Sequence, residues 1–265
     1  MTEELNSPWR KTASTIYKKP TDSKIFGSVD IDITDLEKYI TEKRKTGLKL
    51  TLTHFFTLVV ARAVKREVPQ LNTFVKRGSI VAHPTVDVSV SVLLDGGEMS
   101  SVRIMDAGNM NLAEIIEAIK TEIAKARKGN ENKTMRNKYL LGGIPWPLRT
   151  WVYAVIKKLL IDWGFSFPKV GLSANNFGAF VVSNIGSLGL EVGYPALLPS
   201  SNVSFVINLG GVIKKPWVVN DEILPRSIIT LSAAFDHRLV DASQIGTLFK
   251  FIKRMVKNPQ LMEEM

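Results

Sequence analysis

The stretch that decides the fold reads Ile-Ile-Thr-Leu-Ser-Ala-Ala-Phe-Asp-His-Arg-Leu-Val-Asp and runs from residue 228 to residue 241. Its first eight residues form a short and largely apolar run, which is typical of a central strand in a sheet. A helical pattern begins near Asp241, so His237 lies at a transition from strand to helix. A side chain at such a transition can face a cleft.

The rest of the chain alternates between strand and helix patterns. Further apolar runs predict two more central strands, at 178–182 and 203–209. Apolar residues that alternate with polar ones predict a half-buried strand at 25–33 and a hairpin at 86–105. Apolar residues at helical spacing predict helices at 34–47, 51–66, 112–128 and 241–257. The spacing of Thr34 and Glu37, and that of Asn111 and Glu114, predicts a capping box at two of these helices.

Composition excludes several classes of chemistry. The chain has 265 residues, of which 45% are hydrophobic, so it can close a sizeable core. It has no cysteine, which excludes disulfides, thiolate metal sites and a cysteine nucleophile, and we expect no metal. The sequence shows neither a signal-peptide pattern nor an apolar stretch of about 20 residues, so we expect a soluble cytoplasmic protein.

The net charge of +10 favours an anionic partner, such as acidic lipid, nucleic acid or a phosphate-bearing cofactor. A basic face that is merely solvated explains the same excess. No helix-turn-helix, zinc or RNA-binding motif accompanies the charge, so we expect no nucleic acid partner.

A tryptophan-rich segment interrupts the pattern at about residues 140–165. It follows a polar, basic stretch at 127–138 that predicts an exposed loop, and it carries Trp146, Trp151 and Trp163. Its apolar residues fall on one helical stripe. Such a helix could pack on its own domain or on a sister subunit, cover an acyl-chain pocket, or lie on a membrane surface. No linker separates independent domains, so residues 1–265 are predicted to form one domain that contains this insertion.

Four stretches carry a resemblance to a known family. Residues 235–241, Phe-Asp-His-Arg-Leu-Val-Asp, resemble the Asp-His-Arg-x-x-Asp-Gly motif of the 2-oxoacid dehydrogenase acyltransferase (E2) catalytic domain, a relative of chloramphenicol acetyltransferase. Residues 181–186, Val-Val-Ser-Asn-Ile-Gly, are similar to its Thr-Ile-Ser-Asn-x-Gly segment, and the stretches at 50–72 and 86–106 also match. With Arg10 near the start, the resemblance covers roughly residues 9–128 and 170–262.

The resemblance implies an α/β, chloramphenicol acetyltransferase-like two-layer fold, with a mixed β-sheet and helices packed on one side. It also implies a homotrimer, which could build a larger assembly, with active sites shared between neighbouring subunits. The implied reaction moves an acyl group between acyl-CoA and a thiol, amine or hydroxyl acceptor, with coenzyme A as a substrate. The residues that would bind coenzyme A are not assigned.

Within this resemblance, His237 is the general base and Ser183 stabilises the oxyanion. A free thiol has a pKa of about 8.5, and an imidazole with a reference pKa of about 6.5 can take its proton and later return it. Ser183 could instead be a nucleophile, although it lacks the Gly-x-Ser-x-Gly context, or it could simply bond to backbone. Asp241 is implied to pair with Arg10 and support the site, as is Asn184. A helix-capping role explains Asp241 equally well.

The chain also departs from the family pattern. Ala242 replaces the family glycine, which makes activity less secure than fold. Residues 130–170 are longer and more aromatic than in E2 domains, which suggests a changed acyl or acceptor site. The sequence shows no lipoyl domain, so we expect no covalently bound lipoate. If the chain serves a dehydrogenase complex, we expect the lipoyl carrier to be a separate protein. The alternative function is a catalytically weak trimeric scaffold or cage core of the E2 type.

Overall fold

The chain folds around one mixed sheet. The computed structural model describes residues 23–93, 99–128, 143–145, 147–167, 172–197 and 201–264. Its strands are β1 Lys24–Asp32, β2 Thr73–Lys76, β3 Ser79–Ala82, β4 Val88–Leu93, β5 Met99–Ile104, β6 Phe180–Asn184, β7 Phe205–Leu209, β8 Ile213–Val219 and β9 Glu222–Asp236. Its α-helices are α1 Thr34–Lys45, α2 Leu52–Arg66, α3 Leu112–Arg127, α4 Leu148–Lys157, α5 Ala242–Lys257 and α6 Leu261–Glu264.

The order of strands across the sheet is β1-β9-β7-β6-β4-β5, with β8 paired to the outer half of β9. The β4-β6 and β6-β7 pairs are parallel and the other pairs are antiparallel. Strands β2 and β3 form a separate hairpin.

The main hydrophobic core lies between one face of the sheet and the helices. Phe180, Phe205 and Phe235 stand side by side on three neighbouring strands, with ring centroids 4.8 and 5.3 Å apart. All three are fully buried, in one cluster with the apolar residues of α1, α2, α3 and α5. Burying rings of this size supplies a large share of the hydrophobic free energy of a core. The predicted mixed sheet with helices on one side is confirmed.

Of the two capping boxes predicted from the sequence, the structure contains one. Asn111 and Glu114 form the predicted capping box, with Asn111 Oδ1 accepting from the Glu114 N–H at 3.0 Å. The box predicted at Thr34 is wrong, because α1 begins at Thr34 itself and no side chain caps it from Ile33. The Thr34 hydroxyl instead donates to Asp32 Oδ1 at 2.7 Å.

The strand predicted at 178–182 lies two residues further along the chain, as β6. Gly178 has a φ of +72°, and a Cβ there would lie 2.5 Å from the Asp87 carbonyl oxygen. The chain therefore turns at Gly178 and enters the sheet only after it. As a result, Ser183 and Asn184 are the last residues of the strand itself.

Strands β2, β3, β8 and the first half of β9 were not predicted. Pro216 and Pro225 face each other across the β8-β9 pair. Proline lacks an N–H and weakens a strand prediction, but an edge strand at the outer end of a sheet tolerates it. The exposed residues along this hairpin also lack the apolar pattern on which the other strands were predicted.

Some sequence predictions lie outside the described residues: those for Arg10, Trp146, the turn at 95–97, and most of the loop at 127–138. Within the described residues, no helix combines the length and the apolar character that a bilayer crossing requires.

Candidate active site

His237 lies in the turn that joins β9 to α5. Its Nδ1 is 3.0 Å from the Val240 carbonyl oxygen and 3.2 Å from Asp241 Oδ1. A carbonyl oxygen can only accept a hydrogen bond, so Nδ1 carries the proton and Nε2 keeps its lone pair. The ring is half exposed. This geometry leaves Nε2 able to accept a proton from a substrate.

Asp236 holds this turn in place, a role that sequence reasoning did not assign. Its buried carboxylate accepts from the Arg238 backbone N–H at 3.0 Å and from Arg238 Nε at 2.9 Å. The hydrogen bonds that the Arg238 guanidinium donates to Asp236 hold the pKa of Arg238 above its ordinary value. The His237 N–H donates to the Ser23 carbonyl oxygen at 2.7 Å, which ties the turn to the start of β1. The signal available in the sequence was Asp236 itself, a charged residue directly after an apolar run.

Asp241 is the N-cap residue of α5, and its backbone N–H donates to Gln244 Oε1 at 3.0 Å. Its carboxylate also contacts the His237 ring. Arg10, the partner implied by the resemblance, lies outside the described residues. Ala242 is the first residue of α5 and is not among the described residues with positive φ. No described feature of the turn therefore requires glycine at position 242.

Ser183 lies on the face of the sheet opposite the main helices. Val182 next to it belongs to the helix-side core, and Ser183 pairs across the sheet with Asn208, which pairs with Ser232. The Ser183 side chain makes no hydrogen bond to any residue in the described part of the chain. Its hydroxyl is free to donate to a ligand.

A cavity of about 270 Å³ lies at the end of β6 and contains Ser183. Asn184, also in its wall, donates from Nδ2 to Thr53 Oγ1 at 3.1 Å and accepts from the Ser187 N–H at 3.2 Å. These bonds link the end of β6 to the first turn of α2 and to the loop that follows the strand. Asn184 therefore supports the wall in which Ser183 lies.

A basic groove adjoins this cavity, and sequence reasoning missed it. The groove has a volume of about 610 Å³ and is open to solvent. The cavity and the groove share the lining residues His54, Ile119 and Ile123. The groove is also lined by four cations and, among its described lining residues, by no anion; the cations are Lys49, Lys120, Arg127 and Lys128. An anion that binds in the groove would therefore lie beside the Ser183 cavity.

His54 lies between the cavity and the groove. Its Nδ1 is buried without a hydrogen-bond partner in the described part of the chain. Burial holds the pKa of His54 below its ordinary value, and the nearby Arg44 charge adds to this lowering. His54 is therefore neutral at neutral pH.

His237 and Ser183 lie at opposite ends of the sheet within one chain. Phe180, Phe205 and Phe235 are in register across the three strands. Ser183 lies three residues beyond Phe180 in one direction, and His237 lies two residues beyond Phe235 in the other. At the rise of a strand, this offset separates them by roughly 15 Å along the sheet. The two side chains of one chain cannot contact the same reacting atoms.

A second cavity, of about 350 Å³, lies beside the His237 turn. Asp236, Arg238 and Leu239 contribute to its lining. The tryptophan-rich insertion contributes Lys157 and Asp162 to the same cavity. The insertion therefore adjoins the histidine end of the molecule.

Comparison with known families supports the sequence resemblance. The sequence model of the family "2-oxoacid dehydrogenases acyltransferase (catalytic domain)" matches residues 3–136 and 172–263. The interval 137–171, which the model leaves unmatched, contains the whole described part of the tryptophan-rich insertion.

Individual relatives agree with the family match. The chain is 25% identical over 228 residues to the dihydrolipoyllysine-residue acetyltransferase component of the pyruvate dehydrogenase complex of Rickettsia prowazekii. That alignment covers 86% of this chain but 45% of the relative, so the chain spans less than half of the relative's length.

Solved structures confirm the fold. A probable dihydrolipoamide acetyltransferase from Listeria monocytogenes superposes with a TM-score of 0.66 at 21% identity, covering 95% of this chain and 92% of that chain. A chloramphenicol acetyltransferase superposes with a TM-score of 0.50 at 11% identity, covering 97% and 99%.

Proposed function

Because this chain belongs to the family of 2-oxoacid dehydrogenase acyltransferase catalytic domains, we propose that it transfers acyl groups between coenzyme A and a second acceptor. The observation that carries the proposal is the His237 ring, held by its own turn with Nε2 free. A dihydrolipoyl thiol on a separate carrier protein is the first acceptor to test, because the relatives are named dihydrolipoyllysine-residue acyltransferases.

In the proposed reaction, His237 Nε2 takes the proton of the attacking thiol. The thiolate then adds to the thioester carbonyl carbon, and the carbonyl oxygen becomes an oxyanion. When the intermediate collapses, the bond to the leaving sulfur breaks and the imidazolium returns its proton to that sulfur. Asp241 stabilises the imidazolium, since its carboxylate lies beside the Nδ1–H.

Ser183 would donate its free hydroxyl to the oxyanion. Because His237 and Ser183 of one chain are at opposite ends of the sheet, the donor must come from a neighbouring copy. We therefore propose a homotrimer in which each active site lies between two subunits. The trimer could form a larger assembly.

The basic groove would bind the phosphates of coenzyme A. Its four cations lie next to the cavity that contains Ser183, so the pantetheine arm could reach that cavity over Ile119 and Ile123. Charge-assisted hydrogen bonds from lysine and arginine are the usual means of phosphate recognition.

An acyl-CoA panel tests the activity. We expect the wild type to release coenzyme A from at least one acyl-CoA in the presence of dihydrolipoamide, an amine or an alcohol. His237→Ala should lower kcat by about 100- to 10,000-fold, the usual contribution of a general base. Equal rates for the two proteins with every acceptor would instead support the catalytically weak scaffold.

Groove variants test where coenzyme A binds. Lys49→Gln combined with Arg127→Gln should raise KM for acyl-CoA by about tenfold, because each lost charge removes a charge-assisted hydrogen bond to phosphate. Lys253→Gln, an exposed substitution on α5 outside the groove, is the matched control and should leave KM unchanged. If the groove variant binds acyl-CoA as the control does, the phosphates bind elsewhere.

A further inference from the structure

The helix α4 in the insertion turns its apolar stripe outward. Leu148, Trp151 and Val155 share one side of the helix and are exposed, with Trp151 at 69%. The opposite side carries Tyr153 and Lys157, which are partly buried, and no residue of α4 is fully buried. A helix of a soluble domain ordinarily packs its apolar side against the core, so this stripe indicates an external partner.

The insertion is anchored, so the stripe has a defined position. Arg77, in the β2-β3 turn, donates from Nε to the Trp163 carbonyl oxygen at 2.8 Å and from its backbone N–H to the Asp162 carbonyl oxygen at 3.3 Å. Its guanidinium also lies 5.8 Å from the centre of the Phe165 ring. These contacts hold the insertion beside the cavity at the His237 turn.

A second exposed apolar patch lies at the other end of the molecule, directly after Ser183. It consists of Leu188, Leu190 and Val192, with Leu190 at 51% exposure. Hydrogen bonds at both of its backbone polar groups hold Leu190 in place: its N–H donates to the Ile185 carbonyl oxygen at 3.2 Å, and its carbonyl oxygen accepts from the Gly211 N–H at 2.9 Å. One chain therefore has one exposed apolar patch toward the His237 end of the sheet and another at the Ser183 end.

We propose that the α4 stripe of one copy docks on the Leu188–Leu190–Val192 patch of a second copy of this chain, beside the shared active site. The inference rests on the proposed function, because that function requires the Ser183 end of one copy to meet the His237 end of another. Helix α4 adjoins the cavity at the His237 turn through Lys157, on the side of the helix away from the stripe, and the patch follows Ser183 in the chain. A head-to-tail contact that unites the two residues would therefore set the outward stripe of one copy toward the patch of the next. The docked insertion then stabilises the interface between subunits.

The mass of the oligomer in solution tests whether the stripe docks on the patch. Trp151→Asp combined with Val155→Asp should raise the dissociation constant of the oligomer by about tenfold or more, because the interface would bury unpaired charge. Thr150→Asp, an exposed substitution on another side of the same helix, is the matched control and should leave the mass unchanged. Light scattering after gel filtration, over a dilution series, gives both results. An unchanged oligomer in the double variant would overturn the proposal.

Cross-linking tests the contact itself. Because the chain has no native cysteine, only the introduced thiols can react with the cross-linker. A protein with Trp151→Cys and Leu190→Cys, treated with a short bismaleimide, should give covalent dimers on a denaturing gel. Either single variant should give none. If the double variant remains uncrosslinked, the patches do not meet.

A membrane surface is the competing partner for the stripe. Flotation with phosphatidylglycerol vesicles distinguishes a membrane from a second copy of the chain. If Trp151→Asp with Val155→Asp abolishes vesicle binding but not the oligomer, the docking proposal is overturned.

The mass and cross-linking measurements do not depend on catalytic turnover. If they succeed while every acyl-CoA remains uncleaved, the proposed function fails and the docking stands.

Discussion

The backbone of its own turn holds His237 in one tautomer. Val240 offers a carbonyl oxygen to Nδ1, and Asp236 keeps the turn closed through Arg238. Within the described residues, the hydrogen-bond partner of the His237 ring therefore comes from the same turn. Such a local arrangement explains why a short motif of seven residues can identify the site.

Ala242 is compatible with this turn, which bears on whether the chain can be active. Ala242 is the first residue of α5 and its φ is not positive, so its Cβ introduces no backbone strain. We expect Ala242→Gly to lower the free energy of unfolding by up to about 1 kcal/mol, since glycine is a poorer helix residue. It should leave kcat unchanged.

Urea unfolding and single-substrate kinetics of Ala242→Gly measure these two quantities. A rise in kcat of tenfold or more in the glycine variant would show that alanine impairs the site, and would support the scaffold function.

At the scale of elements, the β4-β5 hairpin is held by a buried carboxylate. Asp87 accepts from Arg103 Nε at 3.0 Å, from Thr85 at 2.7 Å and from the Asp106 N–H at 2.8 Å. Burial opposes its ionisation, but these hydrogen bonds outweigh burial and hold the pKa of Asp87 below its ordinary value. Ionised Asp87 thus stabilises the fold.

The sign of the pH dependence follows from this lowered pKa. The unfolded chain binds a proton at Asp87 more readily than the folded chain does, so the stabilisation is present above about pH 4 and is lost as the pH falls below it. Asp87→Asn should lower the free energy of unfolding by about 2 kcal/mol at pH 7 and flatten its decline between about pH 5 and pH 3. Asp30, Asp32, Asp35 and Glu263, whose pKa values are also lowered, contribute to the remaining decline with the same sign.

Urea unfolding of the wild type and Asp87→Asn at several pH values measures this difference. Parallel declines in the two proteins would contradict the assignment. Lys253→Gln serves as a control for a general change of charge.

At the scale of the whole molecule, the proposed sharing of the active site between subunits has a direct consequence. Inactive His237→Ala subunits retain Ser183, and inactive Ser183→Ala subunits retain His237. In any mixed trimer, one of the three interfaces unites the two intact residues. Mixed trimers freed of both parent homotrimers should therefore have about a third of the wild-type activity.

Co-expression of the two variants with different affinity tags, followed by tandem purification and an acyl-CoA assay, measures this recovery. Each variant alone is the control. If the mixed trimers are as inactive as the two parents, His237 and Ser183 do not share an inter-subunit site.

The sequence by itself determined the central strands, most of the helices and the identity of the histidine motif. These depend on local information, namely apolar periodicity, capping residues at fixed spacing and one short charged motif after an apolar run. The mixed sheet was implied only by the family resemblance. The sequence did not predict β8, because proline in the β8-β9 hairpin weakens a strand prediction. It also did not assign a role to Asp236.

Only the tertiary structure decided how these parts are placed in space. Strand register puts His237 and Ser183 at opposite ends of one sheet, and helix packing brings Lys49 and Arg127 into one groove next to Ser183. It also turns the apolar side of α4 outward, although its periodicity is that of a helix buried on one side. Register and packing join residues that are far apart in the chain, and local patterns carry no information about such distances.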